Sequence, residues 1–113
     1  MVTVEEAKTP RSLFSELGKV LAAEPSRTAG VTALYQFDIS GDQGGYWYVD
    51  IVEGKAEVGE GQVNNPGCTI TMRDADYVAL ATKQVSGALA FMTGKLRVKG
   101  DAVLAMKAGQ IFG

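Results

Sequence analysis

Side chains that commonly perform catalysis or bind metal ions are scarce in this sequence. Its 113 residues include no histidine and one cysteine, Cys68. Histidine is the commonest general base and metal ligand, so the usual catalytic triads and most zinc sites are excluded. Cys68 lies in the apolar half of an alternating segment, which favours a structural thiol over a nucleophile. We therefore predict no catalytic residue, no metal site and no cofactor.

Carboxylates are the remaining candidates for acid–base chemistry. Asp74, Asp76 and Asp101 each lie where a helix is predicted to begin, and helix capping and compensation of the helix dipole explain such positions. Asp50 interrupts an apolar run, but alternation places it on the solvent side, opposite Trp47. An enzymatic function would need a buried pair of carboxylates in a pocket, and it ranks below two non-enzymatic hypotheses.

Charge limits the classes of partner that the chain can bind, and length limits the number of its domains. The formal net charge is −2, and the longest basic feature is Lys95-x-Arg97-x-Lys99, whose spacing of two predicts one face of a strand. Three basic residues are too few to indicate nucleic-acid binding. They are compatible with a solvated strand face or with contact with a membrane surface. The length fits one domain, residues 1–113, of the usual size of roughly 100–150 residues.

The sequence also indicates a compartment. It lacks a run of 18 apolar residues and the charged and apolar regions of a secretory signal at its start, so we expect neither a membrane-spanning helix nor secretion. A single cysteine requires no oxidising environment. We predict a cytoplasmic location.

Hydrophobic periodicity predicts one α+β domain. Apolar residues from Leu13 to Leu21 recur at spacings of three and four after Thr9-Pro10, which is typical of a capped helix. From Val31 the period changes to two, as in half-buried strands. The predicted strands lie near 35–40, 46–52, 55–58, 68–72 and 96–98, the first three as an antiparallel meander, and further helices begin at 74, 86 and 101.

The apolar sides of these strands would form one sheet face beneath the helices. Periodicity cannot distinguish a filled core from a hollow one, so at this point the residues give a fold class and leave the function open.

Several motifs resemble the sterol carrier protein type-two family. They are CTITM at 68–72, DADYVALAT at 74–82, AFMTGKLRVKG at 90–100 and LAMK at 104–107, with a weaker match in WYVDI at 47–51. Their order and spacing carry the resemblance over nearly the whole chain.

The resemblance implies a mixed, mostly antiparallel sheet of about five strands, with helices on one face enclosing an apolar tunnel. Members bind fatty acids, fatty acyl-CoAs, phospholipids and sterols, and no catalysis is attributed to the domain itself. We accordingly expect lipid binding and lipid transport, with a long-chain acyl ligand ahead of a sterol and transient membrane contact. The oligomeric state is left open.

The resemblance also suggests which residues line the tunnel. We assign this role to Phe37, Val49, Ile70, Leu80, Phe91, Met92, Leu96, Leu104, Met106, Ile111 and Phe112. For each of them singly, core packing and ligand contact both remain open. The competing hypothesis is a structural or protein-interaction module of the same fold with a filled core.

Overall fold

The predicted strands form one mixed sheet in a computed structural model that describes residues 8–112. The strands are β1 (Ala33–Ser40), β2 (Gly45–Val52), β3 (Lys55–Glu60), β4 (Cys68–Arg73) and β5 (Leu96–Gly100). Their order is β3-β2-β1-β4-β5. β1 and β4 pair in parallel, and the other neighbours are antiparallel. The expected α+β class, the strand count and the β1–β2–β3 meander are confirmed.

The helices lie close to their predicted positions. They are α1 (Pro10–Ala23), α2 (Asp74–Ala81), α3 (Gly87–Met92) and α4 (Ala102–Phe112), with a short 3-10 turn at Pro25–Arg27. Thr9 caps α1 as expected: its Oγ1 accepts from the Ser12 N–H at 3.2 Å, and the Ser12 Oγ accepts from the Thr9 N–H at 3.0 Å. These two bonds satisfy two of the backbone donors that a helix start leaves without partners.

Two other predicted caps differ in outcome. Asp101 caps α4, because its Oδ1 accepts from the Val103 N–H at 2.7 Å. Asp74 is the first residue of α2, and the N-cap is Arg73. The Asp74 carboxylate instead accepts from the N–H groups of Gln43 and Ala75, which lowers its pKa. It therefore connects the β1–β2 turn to the start of α2.

Strand register decides which side chains face the helices. Phe37 in β1 lies opposite Trp47 in β2 and Ile70 in β4, so the three share one face, and all three are buried. Asp50 lies on the other face, as predicted. Successive side chains of a strand point to opposite sides, so this register gives the sheet one apolar and one largely polar face.

The outer face of the sheet contains one buried polar side chain, Gln36. Its Nε2 donates to the carbonyl oxygens of Trp47 at 2.9 Å and Gly61 at 3.2 Å, and its Oε1 accepts from the Val63 N–H at 2.8 Å. These bonds satisfy the buried amide and hold the loop after β3 against the sheet.

Aromatic rings join the helices to the apolar face. The Phe14 ring stacks on Trp47 at a centroid distance of 4.8 Å and on Tyr77 at 4.5 Å, and it meets Phe37 edge-on at 5.1 Å. Phe112 of α4 meets Phe37 at 5.2 Å. Rings from α1, α2 and α4 thus converge on the same strands, which confirms that these helices cover one face. We call Phe14, Tyr35, Phe37, Trp47, Tyr77 and Phe112 the aromatic cluster.

The aromatic cluster should dominate stability. We expect Phe14→Ala to lower the free energy of unfolding by about 3–5 kcal/mol, the usual cost of truncating a buried phenylalanine. Phe91→Ala is the matched control: Phe91 is 58% exposed, so its truncation should cost about 0.5 kcal/mol or less. Urea unfolding followed by circular dichroism measures both, and equal losses in the two variants would contradict this assignment.

Candidate functional site

A group of large apolar side chains is exposed on the two C-terminal helices. They are Leu89, Phe91 and Met92 of α3 and Val103 and Met106 of α4, and we call them the α3–α4 surface. Met92 and Met106 are each 81% exposed. Single exposed apolar residues are ordinary, but a concentration of them on neighbouring elements is typical of a binding surface.

The helical layer is incomplete beneath this surface. α3 packs against β5 and α2, whereas α4 packs against β5, β4 and the 3-10 turn. Leu96 and Val98 of β5 lie opposite Met72 and Ile70 of β4 and share their face. The β4 pair is buried, but the β5 pair is only half-buried. Apolar side chains between α3 and α4 are therefore partly accessible to solvent.

The structure divides the predicted tunnel residues into three groups. Phe37, Val49, Ile70 and Ile111 are buried in the core; Leu80, Leu96, Leu104 and Phe112 are partly buried against it; Phe91, Met92 and Met106 are exposed. The partly buried group lies between the core and the α3–α4 surface. The three groups thus differ in solvent exposure, from the exposed helix residues to the buried residues of the central strands.

An enclosed tunnel between the layers is not what the described residues present. Two surface pockets occur elsewhere: one of about 310 Å³ is lined by α1, β2 and β3 side chains that include Phe14 and Trp47, and one of about 210 Å³ lies at the starts of α1 and α2. Neither is lined by a predicted tunnel residue. The aromatic cluster occupies the space between the helices and the central strands, so the tunnel remains a prediction.

α4 is attached to the sheet near its start and to the 3-10 turn near its end. The buried Tyr35 hydroxyl donates to the Leu104 carbonyl oxygen at 2.6 Å, and the Arg27 guanidinium donates to the Ile111 carbonyl oxygen at 3.4 Å. The Leu104 side chain lies over Gly67, where an added Cβ would come within 2.5 Å of it. A larger residue at that position would require the end of the Leu104 side chain to move.

The Cys68 thiol and the carboxylates of the two surface pockets lie outside the α3–α4 surface. Burial raises the pKa of the Cys68 thiol, which keeps it protonated and unreactive, in line with the structural role expected from the sequence. Each of the two surface pockets contains a single carboxylate, Asp74 or Glu60.

Residues 8–112 contain no cluster of three potential metal ligands. In the same range, no helix has the length and apolar character needed to cross a bilayer.

One carboxylate elsewhere is unusual. Burial raises the pKa of Asp38, and its Oδ1 is buried without a hydrogen-bond partner. Asp38 lies on the outer face of β1, on the opposite side of the sheet from the α3–α4 surface. It has no second carboxylate as a hydrogen-bonding partner and is remote from the candidate site.

Sequence reasoning missed part of the site and misplaced one residue. Leu89 and Val103 belong to the α3–α4 surface but were not predicted, although each precedes an exposed methionine by three residues, the spacing of neighbours on a helix. The basic strand face is smaller than expected. Arg97 and Lys99 are exposed on the outer face of β5, whereas Lys95 precedes the strand, because β5 begins at Leu96.

A comparison with protein families matches residues 14–113 to the SCP-2 sterol transfer family. Among curated proteins, the hydroxysteroid dehydrogenase-like protein 2 of Xenopus tropicalis is 37% identical over 96% of this chain and 26% of its own length. Human sterol carrier protein 2 is 35% identical over 84% of this chain and 18% of its own length. The chain thus spans about a quarter or less of these relatives.

Solved structures agree with the architecture. The crystal structure of sterol carrier protein 2-like 2 from Aedes aegypti has a TM-score of 0.75 and 24% identity, covering 88% of this chain and 93% of that chain. The palmitated form of the Aedes aegypti protein, solved by NMR, has a TM-score of 0.79 and 24% identity, covering 92% of this chain and 94% of that chain. At this identity the likeness shows the fold.

The bond between Tyr35 and α4 generates a prediction with a pH dependence. At pH 8, Tyr35→Phe should cost about 1 kcal/mol because the Leu104 carbonyl loses its buried donor. Burial, with smaller effects of Cys68 and Asp101, raises the pKa of Tyr35 from 10.0 to about 12. Between these values the unfolded wild type releases a proton that the folded protein keeps, so the wild-type advantage should shrink as pH rises from 10 to 12.

Urea unfolding at pH 8 and at several values above 10 measures this difference. Tyr46→Phe is the control, since Tyr46 is 46% exposed and its replacement should leave stability at pH 8 within about 0.5 kcal/mol. A wild-type advantage over Tyr35→Phe that stayed constant up to pH 12 would contradict the interpretation.

Proposed function

The chain belongs to the SCP-2 sterol transfer family, and on this premise we propose that it binds and transfers lipids in an apolar site without catalysing a reaction. The observation that carries the proposal is the position of the exposed and half-buried apolar side chains. Among the described residues, five of the seven exposed large apolar side chains belong to α3 and α4, which both pack against β5. The partly uncovered part of β5 with the half-buried Leu96 and Val98 is called the gap.

Burial of an acyl chain explains why such a gap is useful. Each CH₂ removed from water contributes about 0.8 kcal/mol, so a long chain binds without specific polar contacts. Leu80, Leu96, Val98 and Leu104 are partly buried, and a ligand between them would complete their burial. Met92 and Met106 at the outside suit ligands of varied shape, because unbranched thioether side chains repack easily.

We propose a path from the α3–α4 surface toward Phe112 and Ile70. The aromatic cluster occupies the inner part of this path, so the ligand must displace α4 or the Phe112 ring to reach it. The Tyr35–Leu104 bond and the longer bond from Arg27 hold α4, and such a shift would stretch or break them. We propose that the ligand opens the tunnel as it enters.

Several features favour a long-chain acyl ligand over a sterol. The Tyr35 hydroxyl already donates its proton to the Leu104 carbonyl, so it has no proton left to donate to a buried sterol hydroxyl. A flexible chain also needs a smaller displacement of α4 than a rigid ring system does. A protein of the same fold has been solved in palmitated form, which supports a fatty acid as the first ligand to test.

The remaining assignments complete the proposal. We treat residues 1–113 as one lipid-binding domain, with no catalytic or metal-binding residue, that acts in the cytoplasm, consistent with a free cysteine. The dehydrogenase-like relative is a protein of which this chain spans 26%, so its name assigns no chemistry to the domain. The rival function, an interaction module with a filled core, is favoured by the aromatic cluster.

The proposal predicts lipid in the freshly purified protein. Native mass spectrometry should show a mass shift of one fatty acid or phospholipid, and solvent extraction should recover that lipid in near-stoichiometric amount. Added palmitate should bind to stripped protein. A clean apo mass that remains unshifted in excess palmitate would reject the carrier function and favour the interaction module.

A substitution that fills the gap should block binding. We expect Val98→Trp to weaken palmitate binding about tenfold or more, since the loss of even two buried CH₂ groups has that effect. Val52→Trp is the control, because Val52 is 53% exposed on the outer face of β2. Displacement of a fluorescent fatty acid measures both affinities. Equal affinities for the two variants would exclude the gap as the ligand site.

A further inference from the structure

Charge is distributed very unevenly between the two parts of this chain. Residues 1–79 contain six basic and twelve acidic residues, a formal charge of −6. Residues 80–113 contain five basic residues and one acidic residue, a formal charge of +4. The modest net charge of the whole chain conceals this asymmetry. The basic segment is the one that forms α3, β5 and α4.

The basic residues surround the α3–α4 surface. Lys95 follows α3 by three residues, and Lys107 is exposed on α4 one turn after Val103, on the same helix face. Arg97 and Lys99 are exposed on β5. This strand forms one edge of the sheet, and both helices pack against it.

The acidic residue of this segment does not offset these charges at the surface. The Asp101 carboxylate accepts hydrogen bonds from the N–H groups of Val103 at 2.7 Å and Leu104 at 3.4 Å. It therefore compensates the positive end of the α4 dipole. Lysines thus lie close in sequence to the exposed apolar side chains of α3 and α4, whereas every acidic residue other than Asp101 precedes α3 in the chain.

We propose that the α3–α4 surface docks onto the surface of an anionic lipid bilayer. Phe91, Met92 and Met106 would enter the boundary between headgroups and acyl chains, and Lys95 and Lys107 would contact the anionic headgroups. Apolar insertion combined with basic residues is the usual physical basis of peripheral membrane binding. The inference rests on the proposed function, because docking in this orientation places the gap over β5 directly against the membrane lipids.

Charge also argues against a second copy of the chain on this surface. In a two-fold symmetric dimer each patch meets its own equivalent or its neighbours. Two +4 segments would then be brought together, which is unfavourable. An anionic bilayer supplies both the opposite charge and an apolar phase for the methionines and Phe91.

The test is flotation of the full chain with phosphatidylcholine vesicles that contain or lack phosphatidylglycerol. Wild-type protein should bind the anionic vesicles and lose binding as salt is raised, since exposed charges are screened. Lys95→Gln/Lys107→Gln and Met92→Gln/Met106→Gln should each weaken binding about tenfold or more. The control Lys19→Gln/Lys55→Gln makes the same charge change at two exposed lysines of α1 and β3 and should stay within about twofold.

Palmitate binding in solution, measured on the wild type and the two lysine variants, separates this inference from the proposed function. The two lysine variants change no residue assigned to the ligand site, so they should bind palmitate as the wild type does, whereas Met92→Gln/Met106→Gln is compared on vesicle binding alone. If the wild type binds palmitate but does not bind the anionic vesicles, the proposed docking to a bilayer is wrong and the lipid-binding function stands. If the wild type binds vesicles but not palmitate, the proposed function fails and the docking surface stands.

Two further results would overturn docking at this surface. One is an equal loss of vesicle binding in the Lys95/Lys107 variant and the Lys19/Lys55 control, which would indicate a general effect of charge. The other is a wild-type dimer in analytical ultracentrifugation that Met92→Gln/Met106→Gln dissociates, without vesicle binding by the wild type. That outcome would assign the surface to a second copy of the chain.

Discussion

The stacking of Phe14 between Trp47 and Tyr77 is the interaction on which the architecture depends. One ring from α1 connects a strand to a second helix at centroid distances of 4.8 and 4.5 Å. Aromatic pairs contribute beyond their buried area when their rings are offset or edge-on. This contact joins α1, which packs against β3, to α2, which packs against β4 and β1. The helical layer therefore covers the sheet from β3 to β4, and its open part lies over β5.

Much of the fold was predictable because local signals and long-range packing agree. Thr9-Pro10 begins α1, and alternation from Tyr35 to Ile39 marks β1, where burial on one face enforces the period. The cap at Asp74 was wrong because the carboxylate has a nonlocal partner, the Gln43 N–H. The parallel pairing of β1 with β4 also depends on contacts distant in sequence, which periodicity does not encode.

The candidate site was less predictable than the fold. Phe37 and Met92 are both apolar and were both assigned to the tunnel, yet one is buried and the other is 81% exposed. The difference arises from how far α3 and α4 leave β5 uncovered, which depends on helix packing rather than on residue type. The Tyr35–Leu104 bond, which joins residues 69 positions apart, has no local sequence signal.

The charges on the two edge strands have a consequence for solubility. A domain that exposes five large apolar side chains beside an open sheet edge risks strand-to-strand aggregation. β5 presents Arg97 and Lys99, whereas the other edge strand, β3, presents Lys55, Glu57 and the exposed Arg11–Glu60 ion pair. Charged edges resist pairing with another chain. The fold therefore exposes an apolar surface to a ligand, while the charges on its edge strands oppose fibril formation through strand pairing.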